Sequence, residues 1–565
     1  MNQACRICKN YFKIENGNFT CDYSIFTDGV SVFKKSNACI WPIYMVFNKI
    51  PYKDRYTIGN FCILGIYFGS IKPNLQLLYE LAFGSHLKSL NNPFLFDNVV
   101  FKFIFRFLIC DKPAKSMSLN IQSSNATYFC PLCLAESSTK VINNKKHIFI
   151  PLSHFFDSEV RTEAGFLSLA YSSSNLNHPE YGVKGYCYLS NIKSFSIIDS
   201  NVIDYMHSVC LGIVRRTIDL FLTNFSEKKQ FLAECRKITA DLSFPSSISI
   251  NCLDVENLKN WKAKDFRTFL MYVTPMFLLT QLHIVDEVFS PLREGIKLLF
   301  QNHITHQTSD QALCKFKDFI YRFSKLFEEC NLTPNFHDLC HLPSIVENSG
   351  SLHEFSAFNF EHLNGLLLKK CRGNRRLDKQ IILKFNYFIN DFNNFNSCSE
   401  QFLKFRDHLF NRKKWKSSNL INDKFYFCGK NDNSVLKKNE AAILSNSVSF
   451  NSVRLFKRAV YYEKLISTDK YDLDKKTKHS FFVSKDFKNF FEVTRLGIAT
   501  VVEESTLFSF IIGQKYKLTK LSSCLFKRLN KFELACFSII DFSDNYLSAI
   551  RFNSFVVPEI KTEPY

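Results

Sequence analysis

Apolar and polar positions alternate through residues 18–36, NFTCDYSIFTDGVSVFKKS, on both sides of Asp28-Gly29. A period of two belongs to a strand with one buried face, and Asp-Gly between two such runs is a strong hairpin signal. The pattern therefore predicts strand, turn, strand, with the turn at Asp28-Gly29. NFCILGIYFGS (60–70) and VVFKFIFRFLIC (99–110) read as buried strands, the second ending at Asp111. From about residue 200 the period lengthens. DYMHSVCLGIVRRTIDLFLTNF (204–225) spaces its apolar residues as a helix does, and 262–284, 286–302, 311–330 and 355–410 continue in that mode. After about 420 the runs are short and β-branched: SVRLFKRAVYYEKLI, FEVTRLGIATVVEE, TLFSFIIGQKYKL, FNSFVVPEI. The chain is thus an α/β protein with a helical block between strands and a β-rich C-terminal region. KNDNSVLKKNE (430–440) is its best linker, and no internal repeat is visible.

Composition narrows the class. A chain of 565 residues buries a sizeable core and has length for more than one domain. Hydrophobic residues make up 46% and aromatic residues 15%, which excludes a disordered chain. The net charge of +20 fits a polyanionic partner such as nucleic acid or an anionic membrane. The first ten residues, MNQACRICKN, are no secretory signal, and no apolar run reaches the roughly 18–20 residues of a membrane helix. The 20 cysteines are therefore expected as thiols or metal ligands in a reducing compartment.

Several residues could carry chemistry, and each has a plainer reading. Asp28 suits a turn, and Asp111 in LICDKPAKS suits a helix cap. Cys130 and Cys133 in YFCPLC have the spacing that lets two sulfurs reach one ion. Cys5 and Cys8 share that spacing without evident partners and are taken as coincidence or a remnant. In LTPNFHDLCHLPS, Thr333 can cap a helix that Pro334 begins and Pro343 is expected to stop. His337 and His341, four apart, would share one face of it, whereas Cys340 would point about 100° from His341. Glu361 lies among Phe355, Phe358, Phe360, Leu363, Leu366 and Leu367, where a carboxylate must be exposed, paired or metal-bound. Asp204 in DYMH can cap a helix and pair with His207.

Order and spacing say more than any one residue. TDG with Asp28, CDKPAKS with Asp111, CPLC, DYMH, HDLCH and FSAFNFEHLNG with Glu361 together resemble the DDE/D transposases of the RNase H-like superfamily, specifically the CACTA-like branch and its Transib-type relatives. WKAKDFRTFLMYVTPMFL (261–278) and the run 336–365 add a likeness to transposon-derived animal proteins. The resemblance covers roughly residues 18–550 and is strongest over 200–385.

It implies an RNase H-like core interrupted by a large all-α insertion. The corresponding boundaries are an N-terminal remnant at 1–17, the first part of the core at 18–135, a mainly helical insertion at 136–335, the completion of the core at 336–425 and a β-rich region at 426–565. Asp28, Asp111 and Glu361 would hold a catalytic pair of Mg²⁺ or Mn²⁺ ions for DNA strand cleavage and transfer. Cys130, Cys133, His337 and His341 would hold a structural Zn²⁺. Asp204 and His207 match a family motif of unassigned role. Lys369, Lys370, Arg372, Arg375, Arg376 and Lys379 begin a basic stretch suited to phosphates, and RKKWK (412–416) reads as a nuclear import signal. The implied partner is DNA, as transposon ends or target, in the nucleus. The reading is compatible with a homo-oligomer and includes neither a membrane nor a small-molecule substrate. The rival is a remnant that binds DNA or protein without catalysis. The short stretch ahead of Asp28 favours it, since family members usually carry a DNA-binding region there.

Overall fold

The computed structural model describes residues 2–12, 17–32, 38–57, 59–142, 144–241, 254–370, 376–395 and, beyond 417, shorter stretches as far as 536. The chain is mixed α/β and about half helical, built around a curled mixed sheet. That sheet contains β1 (Asn18–Thr27), β2 (Val30–Ser31), β3 (Cys39–Phe47), β4 (Phe61–Gly69), β5 (Phe94–Phe96) and β6 (Val99–Ile109). Strands β1 and β4 run antiparallel to β3, while β6 runs parallel to β1 on its other side. A single parallel bridge, Leu108 to Asn201, continues the sheet beyond β6.

The predicted Asp-Gly hairpin does not form. In β1 Thr27 pairs with Ile43, and in β2 Val30 pairs with Ile40, so both segments keep one register along β3. They form one strand interrupted at Asp28-Gly29, and the chain reverses only beyond Ser31. In that register Asp28 faces Pro42, which has no N–H to offer a ladder. Gly29 faces Trp41, and a Cβ on Gly29 would lie 2.6 Å from the indole ring. The gap in the ladder releases Asp28 from strand pairing, and Gly29 leaves room for Trp41 beside it.

A second irregularity sets which way the second acid faces. Between β1 and β6, Tyr23 pairs with Phe105 but Ser24 with Phe107, so Arg106 is an extra residue in β6. One extra residue reverses the facing of everything after it. Phe101, Phe103 and Phe105 pack into one core, whereas Phe107 and Ile109 pack into the other with Phe26 and Tyr44. The continued register, Phe26 beside Ile109, brings Asp28 alongside Asp111 on the same face.

Helices cover both faces. Within the first core α1 (Asn2–Tyr11) places Cys5 and Cys8 fully buried, with the Cys8 thiol 3.4 Å from that of Cys21, and α2 (Leu75–Phe83) adds Leu75, Tyr79 and Phe83. Next come α3 (Lys112–Ser118) and α4 (Glu163–Leu176). A π-helical segment, Met206–Val214, runs into α5 (Arg215–Thr223). The expected helix 262–284 is helical over Ala263–Leu279, as contiguous α-, π- and 3-10-helical turns. After it come α6 (His283–Leu299), α7 (His306–Phe327), α8 (Pro334–Ser349), α9 (Phe358–Lys370) and α10 (Leu377–Phe395). Pro343 does not stop α8, which carries it internally and ends at Gly350 with φ 91°. A proline forfeits one helical hydrogen bond, and the buried Leu339, Leu342 and Val346 hold the turns around it. The expected insertion is not all-α either, because a hairpin, β7 (Ser138–Ile142) with β8 (Lys145–Phe149), stands near its start.

Beyond Ser418 the described segments are mainly strands, in a four-stranded and a five-stranded sheet. Among the described residues no helix is long and apolar enough to cross a membrane.

Candidate functional site

Three parts of the chain bring side chains together over the sheet face shared by Asp28 and Asp111. The carboxylates of Asp28 and Glu361 and the imidazole of His207 each offer a donor atom, and these atoms lie within 4.8 Å of one another. Glu361 sits in the first turn of α9, its N–H bonded to the carbonyl of Ala357 at 3.0 Å. The preceding residue seats the helix. Phe360 stacks flat on Phe26 of β1 with ring centroids 4.3 Å apart, a contact of about 0.5–1.5 kcal/mol beyond its buried area. One turn on, Asn364 accepts a hydrogen bond from Tyr44 of β3 at 2.7 Å.

Asp111 adjoins this trio without closing it. It is the N-cap of α3, its carboxylate accepting from Ala114 N at 2.7 Å, so the plainer reading of this residue also holds. Its charge nevertheless reaches Asp28, Glu361 and His207. Burial and the neighbouring Asp111 push the Asp28 carboxyl up to about 7, against the pull of His207. Burial, with Asp204 and Asp111, likewise raises Glu361. Carboxylates crowded in this way resist ionising together unless a cation joins them.

The structure gives the DYMH motif a geometric role. Asp204 is buried and fully employed. One oxygen accepts from Met206 N at 3.2 Å and from Ala357 N at 2.8 Å. The other accepts from His207 N at 2.9 Å and His207 Nδ1 at 2.7 Å. One carboxylate therefore caps the π-helical segment, ties it to the approach to α9 and orients the imidazole. With Nδ1 engaged, Nε2 faces Asp28, 3.7 Å from its carboxylate. Burial opposes a charge on His207, yet the hydrogen bond and charge of Asp204, with Asp28 and Asp111, raise it to about 9.

Behind the acids lies a buried Cys2His2 cluster compatible with structural zinc. Cys133 Sγ is 3.1 Å from His337 Nε2, Cys130 Sγ is 3.5 Å from His341 Nε2, and the two Nε2 atoms are 3.2 Å apart. Tetrahedral zinc with bonds of about 2.3 Å to sulfur and 2.0–2.1 Å to nitrogen places neighbouring donors about 3.3–3.6 Å apart. Donor types, count and spacing all fit. Leu132 N donates to Cys130 Sγ at 3.4 Å, and Arg161 Nε reaches the carbonyls of Cys130 and Cys133 at 3.0 and 3.1 Å. His337 is held edge-on between Phe129 and Phe155. Cys340 is excluded from the four, because its thiol turns to the carbonyl of Phe155 at 2.8 Å.

The two clusters are joined through Asp338 of α8. One of its oxygens pairs with Lys112, next to Asp111, and the other accepts from Ser208, next to His207. A cavity of about 280 Å³ separates the clusters, lined by Asp111, Asn201, His207, Cys130, Asn335 and His341 among others.

The sequence-predicted residues thus divide. Cys130, Cys133, His337 and His341 converge, as do Asp28 and Glu361, with Asp111 beside them. Of the predicted phosphate-binding residues, Arg376 and Lys379 are exposed at the start of α10. Arg372 and Arg375, the side chains of Lys369 and Lys370, and RKKWK lie outside the described residues. Sequence reasoning missed His207 as the third member of the trio, together with the Lys112–Asp338–Ser208 link. A signal for the link was available in hindsight: Lys112 and Ser208 each adjoin a motif residue. The sequence matches no protein-family model and no curated protein.

Proposed function

We propose that the chain carries out divalent-cation-dependent cleavage and transfer of DNA strands, as a transposase-type phosphoryl-transfer enzyme. The observation that carries this reading is the convergence of Asp28 and Glu361, from the first strand and a late helix, onto one site with His207 beside them and Asp111 alongside. Two acids at neighbouring strand ends and a third on a helix packed over them is the arrangement the sequence resemblance implies. The carboxylate oxygens of Asp28 and Glu361 suit Mg²⁺ or Mn²⁺. A bound pair of such ions would activate the attacking oxygen and stabilise the leaving one. Asp28 and Glu361 hold the hard-donor site, Asp204 fixes the ring of His207, and Asp111 adds negative charge while anchoring α3. The net charge of +20 supports a polyanionic substrate, and nuclear DNA is the substrate this reading names.

The test is nicking and strand transfer on plasmid DNA in Mn²⁺ with purified full-length chain. Wild type is expected to be active. Asp28→Asn and Glu361→Gln are expected to lose at least a hundredfold while remaining folded. Equal activity in wild type and both variants, or none in any, would replace the enzyme reading with a binding protein lacking catalysis.

A further inference from the structure

Next to the acidic site lies a second hollow of about 660 Å³ with the opposite charge. Lys112, Ser124 and Asn335 line both spaces, so the two are contiguous. The walls of the second carry Lys112, Lys146, Arg215 and Arg216 against a single carboxylate, Asp219, with His147 among them. Asp338 engages Lys112, and Asp219 with Asn331 engages Arg216. Lys146 and Arg215 are exposed, and neither has an ion-pair partner among the described residues.

Besides Lys112, Ser124 and Asn125, the lining comes from the β7–β8 hairpin, the end of the π-helical segment with the start of α5, and the first turn of α8. Gly212 lets the last two meet, because a Cβ there would fall 2.5 Å from the side chain of Asn335. In the cavity beside the acids, Asn201 is buried with neither amide atom hydrogen-bonded. Such an amide is costly unless something that enters the cavity pairs with it. Free cations at one end and an unpaired amide at the other define a polar track that leads to Asp111 and His207 at the edge of the acidic cluster.

We propose that this track binds the DNA strand on one side of the reacting phosphodiester, with Lys146 and Arg215 neutralising consecutive backbone phosphates. The proposal rests on the DNA reading above and deepens it. It also moves the principal phosphate contacts from the basic stretch after Glu361 to the hairpin and α5. A cationic wall draws in a polyanion, and each phosphate neutralised steepens the salt dependence of binding.

The experiment is fluorescence anisotropy with labelled duplex DNA, single-stranded DNA and duplex RNA in EDTA, so that no cleavage occurs. At about 100 mM salt, Lys146→Ala/Arg215→Ala is expected to bind duplex DNA at least tenfold more weakly, with the slope of log affinity against log salt smaller by about 2. Arg215→Glu is expected to be weaker still. Lys228→Ala/Lys229→Ala removes two exposed charges outside the hollow and is expected to change both quantities far less. All four substituted residues are exposed, so each variant should keep the wild-type thermal midpoint. Equal losses in the two double variants, unchanged binding in both, or tighter binding of RNA than of DNA would overturn the proposal. The outcomes separate from those of catalysis. DNA binding that depends on Lys146 and Arg215 in a protein inert with Mn²⁺ supports the track and removes the enzyme. Cleavage with binding indifferent to both residues does the reverse.

Discussion

The Cys2His2 cluster and the acidic cluster do one structural job in two chemically opposite ways. Each brings an early segment against a late helix: Cys130 and Cys133 meet α8, and Asp28 meets Glu361 of α9. The first is buried and its four soft donors already stand at tetrahedral spacing. The second borders a cavity through Asp111 and His207, and its carboxylates repel one another. A closed donor set has no position left for a reactant, whereas an open one keeps it. The contrast teaches that the chain puts its rigid joint beside its reactive site and connects the two through Asp338.

That division of labour can be broken in graded ways. The largest effect is expected from inserting one alanine between Phe107 and Leu108. The added residue turns Leu108, Ile109 and Asp111 to the other face, and the protein should show no cooperative unfolding by calorimetry, whereas Arg106→Ala stays within about 1 kcal/mol of wild type. Next comes Cys130→Ser/His341→Ala. Metal analysis should give one zinc per wild-type chain and none in the variant, and the thermal midpoint should fall on the order of 10 °C. Asp204→Asn is a smaller lesion. It strands a buried hydrogen-bond donor and should cost about 1–3 kcal/mol in denaturant unfolding.

A pH dependence follows from Glu354, which meets the buried Arg55. Burial opposes the charge of Glu354, yet His353 and Arg55 hold it down to about 2, below its ordinary 4.5. A depressed carboxyl stabilises fully above its unfolded value and loses that contribution as pH falls toward the folded one. Stability should therefore drop between about 4.5 and 2, and Glu354→Gln should flatten that part of the curve. Asp28→Asn and Glu361→Gln stand at the small end. Relieving like-charge repulsion should leave the midpoint unchanged or slightly raised, the opposite sign to the zinc-cluster variant.

Much of this architecture was legible in the sequence, and the failures share a cause. Alternation located β1, apolar runs located β4 and β6, and helical spacing located α6 and α7. The CPLC and HDLCH pairs were readable together, through their order and spacing among the other motifs, whereas Cys5 and Cys8 share the C-x-x-C spacing and pack as core. The hairpin failed because Asp-Gly is a local signal, and the continuous register along β3 overrides it. Strand β3 itself was hidden by Pro42, which reads as a strand breaker and here stands opposite the gap at Asp28. The bulge at Arg106 leaves no mark in composition, yet it decides that Asp111 faces the site. His207 was visible as a motif residue, but its place in the trio depends on a fold that brings residue 207 to residues 28 and 361.

The most direct test of the two-cluster account is anomalous diffraction from crystals of the full chain soaked in Mn²⁺. The expected result is a zinc-edge peak among Cys130, Cys133, His337 and His341, and a separate manganese peak bounded by Asp28, Glu361 and His207 that vanishes in Glu361→Gln. A wild-type crystal with manganese absent from the acidic cluster, or with zinc absent from the cysteines, would contradict it.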